Sequence, residues 1–406
     1  MEQPSLRFKT DDGSDFPEWE EKTLGDVGSV AMCKRVFKEQ TCEVGDVPFF
    51  KIGTFGGAPD SYISQSLFDE LKSKYAYPKV GTILLSASGT IGRQVEYKGE
   101  DAYYQDSNIV WLEHDDTVLD SYLKQFYSVV EWQGLEGSTI KRLYNKTILD
   151  TPFYRPSLPE QRKIADCLSA VDAVIAAQQA EVDAWEQRKK GVMQKLFSQE
   201  VRFKADDGSD FPDWEEKSLG DLGVFVRGLT YDKTQTVETD GIAVMRSNNI
   251  GSDGTLDYEN EVRLVSKEPS EKQLLRKNDI VICTANGSRL VGKAAKYDGG
   301  YKEPSRITVG AFCGIFRSSD PVLPWWFQSD GYQRFLYSVK QGGNGALTNI
   351  NGKDIESINV MLPTSIDEQC KIADCLSSMD EVIQKSKNEL AKWRELKKGL
   401  LQQMFV

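Results

Sequence analysis

The sequence predicts an α+β protein with a pseudo-two-fold repeat, in which two globular domains are separated by two long antiparallel helices that form a coiled coil. Two observations predict this architecture. One duplicated segment opens each half of the chain, and a second duplicated segment closes each half. Between the duplicates lie stretches of roughly 130 and 145 residues that barely match. One scaffold therefore carries two different inserts.

The opening segment RFKTDDGSDFPEWEEKTLGDVG (residues 7–28) recurs as RFKADDGSDFPDWEEKSLGDLG (residues 202–223), with 18 of 22 positions identical. The closing segment EQRKIADCLSAVDAVI (residues 160–175) recurs as EQCKIADCLSSMDEVI (residues 368–383). In and beyond each closing segment, spacings of four and three residues predict an a/d seam with matching polar breaks. The seams are Ile164, Leu168, Val171, Ile175, Gln178, Val182, Trp185, Lys189, Val192, Leu196 and Ile372, Leu376, Met379, Ile383, Ser386, Leu390, Trp393, Lys397, Leu400, Met404.

Each helix should be about 35–40 residues long, and the helices should bury their seams against each other. Both Val406 and Gln3 correspond to Ser198 in the repeat, so the ends of the chain should be adjacent and the two helices antiparallel. We therefore expect a first domain (residues 1–157), a first spacer helix (158–198), a second domain (199–365) and a second spacer helix (366–406).

Each insert has the short β-rich runs and turn residues typical of an α+β domain. The predicted strands are 47–52, 82–86 and 107–112 in the first insert, and 243–246, 280–284 and 307–316 in the second. A weak correspondence relates the inserts, because ILLSASGTIG (residues 83–92) resembles IVICTANG (residues 280–287), which is followed by Gly292 and Lys293. The inserts therefore look like one fold with two different surfaces.

The composition is that of a soluble globular protein. The chain has 406 residues and a net charge of −12, enough for two or more domains with their own cores. It has no apolar run near the roughly 20 residues that span a bilayer, and no signal peptide is visible. The seven cysteines form no CxxC pair. We expect a cytoplasmic protein with no disulfide framework, metal site or cofactor.

The charge is unevenly distributed. Residues 7–22 and residues 202–217 each carry six acids against three bases, whereas residues 289–317 carry six bases against two acids. The average charge argues against nucleic acid, but the basic cluster lies in an insert and could meet phosphates. A solvated surface is the alternative interpretation.

The catalytic motifs that we sought are missing or incomplete. The chain has no Pro-Pro, so the Asn/Asp-Pro-Pro-Tyr/Phe motif of methyltransferases is absent. The single histidine, His114, lies in an acidic turn and cannot form a triad. Residues 287–293 fit GxxxxGK, but Ala294 stands where a P-loop needs Ser or Thr for Mg²⁺.

Taken together, the alternation of variable inserts with near-identical helices, the EQRKIA and EQCKIA helix starts, SGTIG after a strand and W-x3-[ST]LGD resemble the DNA-specificity (S) subunits of type I restriction–modification enzymes. The resemblance covers essentially the whole chain. It implies that each insert is a target-recognition domain for one half of a bipartite double-stranded DNA site. It also implies that the helices set the half-site spacing and dock two modification (methyltransferase) subunits. Restriction subunits with ATP-driven translocation would join the full complex, and the catalytic residues would lie on those other chains.

Polar loop residues of the inserts are the candidate DNA contacts. Arg can bind guanine O6/N7 and Asn can pair with adenine N6/N7, while Lys, Ser and Thr mostly hold phosphates. The candidates in the first insert are Lys34, Arg35, Lys38, Ser88, Thr90, Arg93, Ser138, Thr139, Lys141 and Arg142. Those in the second are Arg227, Arg246, Asn248, Asn249, Asn286, Ser288, Arg289, Lys293, Arg306, Asn344, Thr348, Asn349 and Asn351.

Two other functions compete with this interpretation. A two-domain scaffold that binds proteins and never touches DNA would suit the acidic charge. An ATP-dependent enzyme would use residues 287–293. A DNA reader should gather its basic residues on one face of each insert, whereas a scaffold should disperse them.

Overall fold

The computed structural model describes residues 4–132, 142–251, 253–258, 262–285, 291–301, 306–341 and 349–405. The chain divides into two compact units, Met1–Gln179 with Asn388–Val406 and Ala180–Lys387. The elements up to the first long helix are β1 (Glu20–Thr23), β2 (Gly28–Ala31), β3 (Val47–Phe50), β4 (Tyr62–Ile63), α1 (Gln65–Lys74), β5 (Ile83–Ser86), β6 (Gln94–Glu96), β7 (Tyr103–Tyr104), β8 (Ile109–His114), α2 (Asp120–Phe126), α3 (Asn145–Leu149), β9 (Pro152–Arg155) and α4 (Leu158–Phe197).

The later elements repeat this order with local differences. They are β10 (Glu215–Ser218), α5 (Leu219–Leu222), β11 (Gly223–Arg227), β12 (Thr236–Val237), β13 (Ile242–Met245), β14 (Arg263–Val265), β15 (Ile280–Cys283), β16 (Ala294–Lys296), β17 (Ile307–Val309), β18 (Cys313–Ser318), α6 (Leu323–Trp326), α7 (Asp330–Gln341), α8 (Gly352–Glu356), β19 (Asn359–Leu362) and α9 (Ile366–Phe405). Short 3-10 turns cover Leu24–Asp26, Lys38–Gln40, Lys233–Gln235, Ser247–Asn249 and Glu271–Gln273.

Each unit contains a four-stranded antiparallel sheet, β2-β8-β5-β6 in the first and β11-β18-β15-β16 in the second. A second sheet holds a parallel pair, β3 with β7 or β13 with β17. The central strand is buried on both faces. In β5, Ile83 and Leu85 belong to one hydrophobic cluster while Leu84 belongs to another. Successive side chains of β15 are likewise divided between two hydrophobic clusters. Because side chains alternate between the two faces of a strand, the central strand of each unit packs against a separate core on each face.

A buried carboxylate attaches each opening segment to the start of a long helix. Glu160, whose side chain is fully buried, accepts from Arg7 Nε at 3.1 Å, Arg7 Nη2 at 3.0 Å and Trp19 Nε1 at 2.8 Å. Its repeat, Glu368, accepts from Arg202 and Trp214 in the same way. Bidentate pairing to Arg compensates the desolvation of the carboxylate. The contact joins the two duplicated segments of each half in the same way.

The last glycine of each opening segment marks a close approach of two strands. A Cβ on Gly28 would lie 2.6 Å from the Glu113 carbonyl oxygen, and one on Gly223 would lie 2.5 Å from that of Arg317. Any side chain there would push β2 from β8, or β11 from β18.

The long helices α4 and α9 are each 40 residues long, and each contributes residues to both units. In the first unit Lys397 Nζ contacts Asp172 Oδ1 at 2.6 Å, and Arg394 Nη2 donates to Gln179 at 2.8 Å. Residue numbers therefore fall along one helix as they rise along the other, so the segments pair antiparallel within this unit.

In the second unit Lys189 Nζ contacts Asp380 at 2.6 Å and Lys387 Nζ contacts Glu186 at 2.8 Å. Residue numbers again run in opposite directions. Lys189 and Lys397 are the lysine breaks of the two seams, and each one forms a repeat-equivalent ion pair with the partner helix.

The prediction that the chain ends are adjacent is confirmed within the first unit. The Leu6 amide donates to the Gln403 carbonyl at 3.0 Å. At the equivalent place in the second unit, the Val201 amide donates to the Lys195 carbonyl at 3.2 Å. In the second unit this contact joins residues that are close in sequence. In the first unit the equivalent contact joins a residue near the N-terminus to one near the C-terminus.

The predicted strands differ from the observed ones at their ends, and two of them differ most. The prediction for residues 307–316 was one strand, but a turn at Gly310–Phe312 splits it into β17 and β18. The prediction for 107–112 began too early, because Ser107 has a φ of 53° and lies in the turn before β8. Both errors fall at the same position of the two inserts.

Candidate nucleic-acid interface

One end of the four-stranded sheet gathers polar and basic side chains in the first unit. Because neighbouring strands are antiparallel, β2 and β5 end where β8 and β6 begin. Lys34 and Arg35 follow β2, Ser88 and Thr90 follow β5, and Arg93 precedes β6. These predicted contact residues are therefore brought together by strand order alone, although they are far apart in sequence.

The turn before β8 (residues 105–108) lies at the centre of this sheet end. Asp106 accepts from Arg35 Nε at 2.8 Å, and the Ser107 carbonyl accepts from Arg142 Nη2 at 2.8 Å. The Ser88 hydroxyl donates to Asn108 Oδ1 at 2.9 Å. The positive φ of Ser107 is a conformation that non-glycine residues seldom adopt. Five polar side chains are thus held by three hydrogen bonds around a strained turn.

Two depressions of about 720 and 530 Å³ flank this turn and share Ser107. The larger is lined by Arg35, Val36, Lys38, Thr41, Cys42, Glu43, Phe49, Lys51, Asp60, Ser61, Gln105, Asp106, Ser107 and Asn108. The smaller is lined by Met32, Ser107, Arg142, Leu143, Tyr144, Asn145 and Lys146. Most of the lining side chains are polar or charged, which suits a polar ligand.

Several cations of this face are paired with acids. Arg35 contacts Asp106 at 2.8 Å, and Lys51 Nζ contacts Asp60 at 2.8 Å. A phosphate would have to compete with these carboxylates, which lowers the electrostatic gain on binding. The pairing, like the net charge of −12, therefore limits the electrostatic attraction of this face for a phosphate.

The second unit presents the same sheet end with different side chains. Arg227 ends β11, Phe312 precedes β18, Ala285 follows β15 and Lys293 precedes β16. Hydrogen bonds between main-chain groups show the equivalence of the two units residue by residue.

The amides of Gln105 and Gly310 donate to the carbonyls of Phe50 and Met245, so Lys51 and Arg246 occupy equivalent positions. The amides of Ser86 and Cys283 donate to the carbonyls of Arg93 and Lys293. Both equivalent pairs are basic in both units.

The amides of Ala87 and Thr284 donate to the carbonyls of Asn108 and Phe312. The bridge Ser88–Arg142 corresponds to the bridge Ala285–Asn349. At these positions the two units differ in chemistry, because Ser, Asn and Arg are replaced by Ala, Phe and Asn.

The structure gives other candidates mainly local roles. Asn249 is fully buried and accepts from the Arg246 amide at 2.8 Å, so in this conformation it shapes a turn and cannot meet DNA directly. Asn351 caps α8 by accepting from the Asp354 amide at 3.0 Å. Arg306 contacts Glu268 at 2.9 Å. Asn248 is exposed in the same turn as Asn249.

Eight of the predicted contacts lie outside the described residues, namely Ser138, Thr139, Lys141, Asn286, Ser288, Arg289, Asn344 and Thr348. They stay predictions. Sequence reasoning missed Lys51, Asn108 and Phe312, which lie at the sheet end. The run QDSN (residues 105–108) was a usable signal for Asn108, since such clusters mark turns.

The GxxxxGK run does not have the surroundings of a P-loop. Lys293 leads into strand β16, whereas a P-loop leads into a helix whose N-terminus meets the phosphates. Gly292 has a φ of 88° and closes a hairpin, because its amide donates to the Cys283 carbonyl at 2.8 Å. The described end of the run, residues 291–293, therefore gives no support to a nucleotide site.

His114 is half-buried, although its neighbours Glu113 and Asp115 are acidic. Its Nε2 lies 3.3 Å from Asp120 Oδ1, and Nδ1 lies 2.8 Å from the Asp115 carbonyl. The hydrogen bond to Asp120 raises the pKa of His114, while burial opposes it. The contacts make this a structural histidine at the far end of β8 from the candidate interface.

No group of His, Cys, Asp or Glu side chains in the described residues is arranged to hold a metal ion. Among the helices of the described chain, none combines the length and the apolar character that crossing a membrane requires.

The fold and the candidate interface define a duplicated-domain protein with one candidate binding face in each unit. Residues 17–184 and 212–392 match the family described as type I restriction modification DNA specificity domain. The chain belongs to this family.

Relatives named after the same family support this membership. A protein of Haemophilus influenzae assigned as a type I restriction enzyme specificity subunit is 54% identical over 152 residues, which are 37% of this chain and 40% of that relative. The chain thus spans less than half the length of that relative. A Methanocaldococcus jannaschii protein assigned as the MjaX specificity subunit is 24% identical over 97% of this chain and 94% of its own length.

A crystal structure of the type I restriction–modification S subunit from M. genitalium has the same fold. It matches with a TM-score of 0.60 at 16% identity, over 100% of this chain and 99% of that one.

Proposed function

We propose that this chain is the non-catalytic, DNA-sequence-reading subunit of a type I restriction–modification complex. Each unit contributes one target-recognition domain that reads one half of a bipartite double-stranded DNA site. The long helices set the distance between the half-sites and dock two methyltransferase subunits, and ATP-dependent restriction subunits join the larger assembly. The chemistry is carried out by those partner chains.

One observation carries the proposal. Both units build the same sheet end, keep basic residues at two equivalent positions and change the side chains at three others. Constant cations suit phosphates, which are the same in every sequence, and variable polar or apolar groups suit base edges. A scaffold for two copies of one protein would be expected to present two like faces. The difference between the faces therefore favours the reading of two unlike half-sites.

Mapping methylated adenines tests the proposal. The chain would be combined with its modification subunits and exposed to DNA of diverse sequence, and the methylated positions would be located by sequencing. We expect a two-part motif with a non-specific gap of constant length. Methylation without any motif, or with a single uninterrupted motif, would refute the proposal.

The scaffold alternative draws support from the net charge of −12 and from the ion pairs at the interface. Gel-shift titrations at fixed salt separate the two. We expect weak binding of DNA by the chain alone and stronger binding with the modification subunits, because this chain neutralises few phosphates itself. If specific DNA fails to bind in either mixture while the partner still binds the chain, the scaffold is the better description.

A further inference from the structure

Phe312 is the least expected side chain at the sheet end of the second unit. Its side chain is 62% exposed, although Phe is among the residues that proteins most often bury. It sits at the tip of the turn that joins β17 to β18, which is closed by the Cys313 amide donating to the Gly310 carbonyl at 2.8 Å. The exposed ring therefore projects from a tight turn.

The main chain of Phe312 is firmly held. Its carbonyl accepts from the Thr284 amide at 2.8 Å and from the Ala285 amide at 3.1 Å. A ring that is fixed at its base can contact a ligand with little loss of conformational entropy. Such preorganisation is typical of an aromatic anchor in an interface.

The neighbours of the turn are predicted DNA contacts. Arg246 lies beside Gly310, since its Cγ would be 3.9 Å from a Cβ on that glycine. Asn349 pairs with Ala285, and Arg227 pairs with Gly314 two residues after Phe312. The turn that carries the ring thus lies beside chain positions whose side chains can bind phosphates and base edges.

Comparison with the first unit indicates what the ring does. There the equivalent residues Ser88 and Asn108 form a polar pair through a 2.9 Å hydrogen bond. In the second unit the same two positions are Ala285 and Phe312. The polar pair has been replaced as a whole by an apolar pair, and an apolar pair suits an apolar ligand surface.

We propose that Phe312 makes an apolar contact with one base pair of the second half-site and helps to determine the base preferred there. Two surfaces of a base pair are apolar, namely the thymine 5-methyl group in the major groove and the stacking face that a wedge exposes. This inference rests on the proposed function, since it names a residue by which the second unit would read DNA.

The test compares Phe312→Ala and Phe312→Asn with the wild type in the complete complex with modification subunits. The readout is methylation of DNA libraries in which each half-site is varied separately. Burying a ring of this size is worth enough for roughly a tenfold loss or more. We expect that loss with Phe312→Ala, together with relaxed preference at one position of the second half-site. Phe312→Asn, which installs the first unit's residue, should alter the preferred base at that position.

The first half-site is the internal reference, and its preference should not change in either variant. Val224→Ala is the matched control, because Val224 is 61% exposed on β11 but lies nearer the other end of the sheet. Thermal unfolding of each variant shows that the unit is intact.

Two arms identify the surface that is contacted. Replacing each thymine of the second half-site by uracil removes a methyl group, and only wild type should lose methylation if Phe312 touches that methyl. A 2-aminopurine placed at each step should brighten with the wild type but not with Phe312→Ala if the ring opens the stack.

The inference is overturned if Phe312→Ala leaves the second half-site preference and rate unchanged, or if Val224→Ala has the same effect. Phe312→Ala could also lower methylation while neither the uracil substitution nor the 2-aminopurine signal distinguishes it from the wild type. That result would assign Phe312 to a contact with a protein and would also overturn the inference. In each of these cases a two-part motif read by the wild type would leave the proposed function standing. Absence of that motif in the wild type would instead refute the proposed function.

Discussion

The two candidate faces differ in a selective way. At the sheet end of the first unit, Arg93 and Lys51 occupy the positions that Lys293 and Arg246 occupy in the second unit. Both positions are therefore cationic in both units. Around them Ser88, Asn108 and Arg142 stand where the second unit has Ala285, Phe312 and Asn349. The main-chain hydrogen bonds that define these equivalent positions are the same in both units. One backbone can therefore keep cations for the phosphates, which are the same in every DNA sequence. The same backbone can carry different side chains at the positions that would read the bases.

The largest expected effect comes from exchanging a whole insert. Replacing residues of about 23–150 by the corresponding insert of a relative keeps the opening segment and the long helices. We expect the first half-site to change completely and the second to remain, because the frames match while the inserts do not. Methylation mapping measures the result. An exchange that altered both half-sites, in a variant that folds, would break the comparison between independent faces.

The buried carboxylates give the next largest effect, and this one should be equal in both units. Changing Glu160 to Gln removes the negative charge and replaces one of the two accepting oxygens by an NH2 group, so the Arg7 and Trp19 donors are no longer all satisfied. Breaking such a buried ion pair typically costs about 3 kcal/mol of unfolding free energy. Glu368→Gln should cost the same, because Arg202 and Trp214 repeat the geometry.

Chemical denaturation of both variants measures these costs. Glu18→Gln is the control, since Glu18 also contacts Arg7, at 3.7 Å, but its side chain is 76% exposed. Its midpoint should be close to that of the wild type. A large difference between the Glu160 and Glu368 variants would mean that the duplicated frames are not energetically equivalent.

The sequence predicted the duplicated parts of the fold better than the inserts. The seam spacing identified the long helices, and it also placed the polar breaks at Lys189 and Lys397, which the structure pairs with Asp380 and Asp172. Local periodicity suffices for a helix because its contacts repeat along the chain. Turn residues likewise marked the loop that follows the predicted strand 82–86.

The turns before β8 and β18 could not be predicted so well. Residues 307–316 are rich in β-forming residues, and the turn within them is held by amides of Thr284 and Ala285 from a distant strand. Such long-range hydrogen bonds leave no local pattern. Asn249 was misjudged for a similar reason, because its burial depends on the fold of the turn around it.

The spacer hypothesis predicts a change of geometry without a change of sequence preference. Insertion of four residues after Gln178, with a matching four after Ser386, lengthens each helix by about 6 Å and keeps both seams nearly in phase. Since B-DNA rises about 3.4 Å per base pair, the preferred gap should grow by about one to two base pairs. Both half-sites should stay as they are. Methylation mapping that finds an active variant with an unchanged gap would refute the hypothesis that the helices set the half-site spacing.

A smaller effect is expected from the constant cations. Arg93→Ala and Lys293→Ala should each weaken binding uniformly across half-site sequences and reduce the slope of log K against log salt by about 0.9, the value for one phosphate. Titration of the complete complex at several salt concentrations measures this. Changes at Asn108 or Asn349 should instead alter base preference at nearly constant slope. If Arg93→Ala changed the first half-site preference, the division into constant and variable positions would be wrong.

The smallest effect concerns a position at which only the first unit has a titratable side chain. His114 is opposite Gly28 in β2, and the equivalent residue opposite Gly223 is Ser318, whose hydroxyl donates to the Leu222 carbonyl at 2.5 Å. The hydrogen bond to Asp120 raises the pKa of His114 in the folded chain, with burial opposing it. Protonated His114 therefore stabilises the fold.

This stabilisation is fully present below the pKa of an unfolded histidine, about 6.5. It is lost as pH rises through the raised pKa of the folded chain. The melting temperature should accordingly fall across that window in the wild type. His114→Ser, which installs the residue of the second unit, should remove this part of the pH dependence and match the wild type most closely at high pH. An identical pH profile in the variant would show that the Asp120 contact does not favour the charged form, and a steeper loss at low pH would point to another carboxylate.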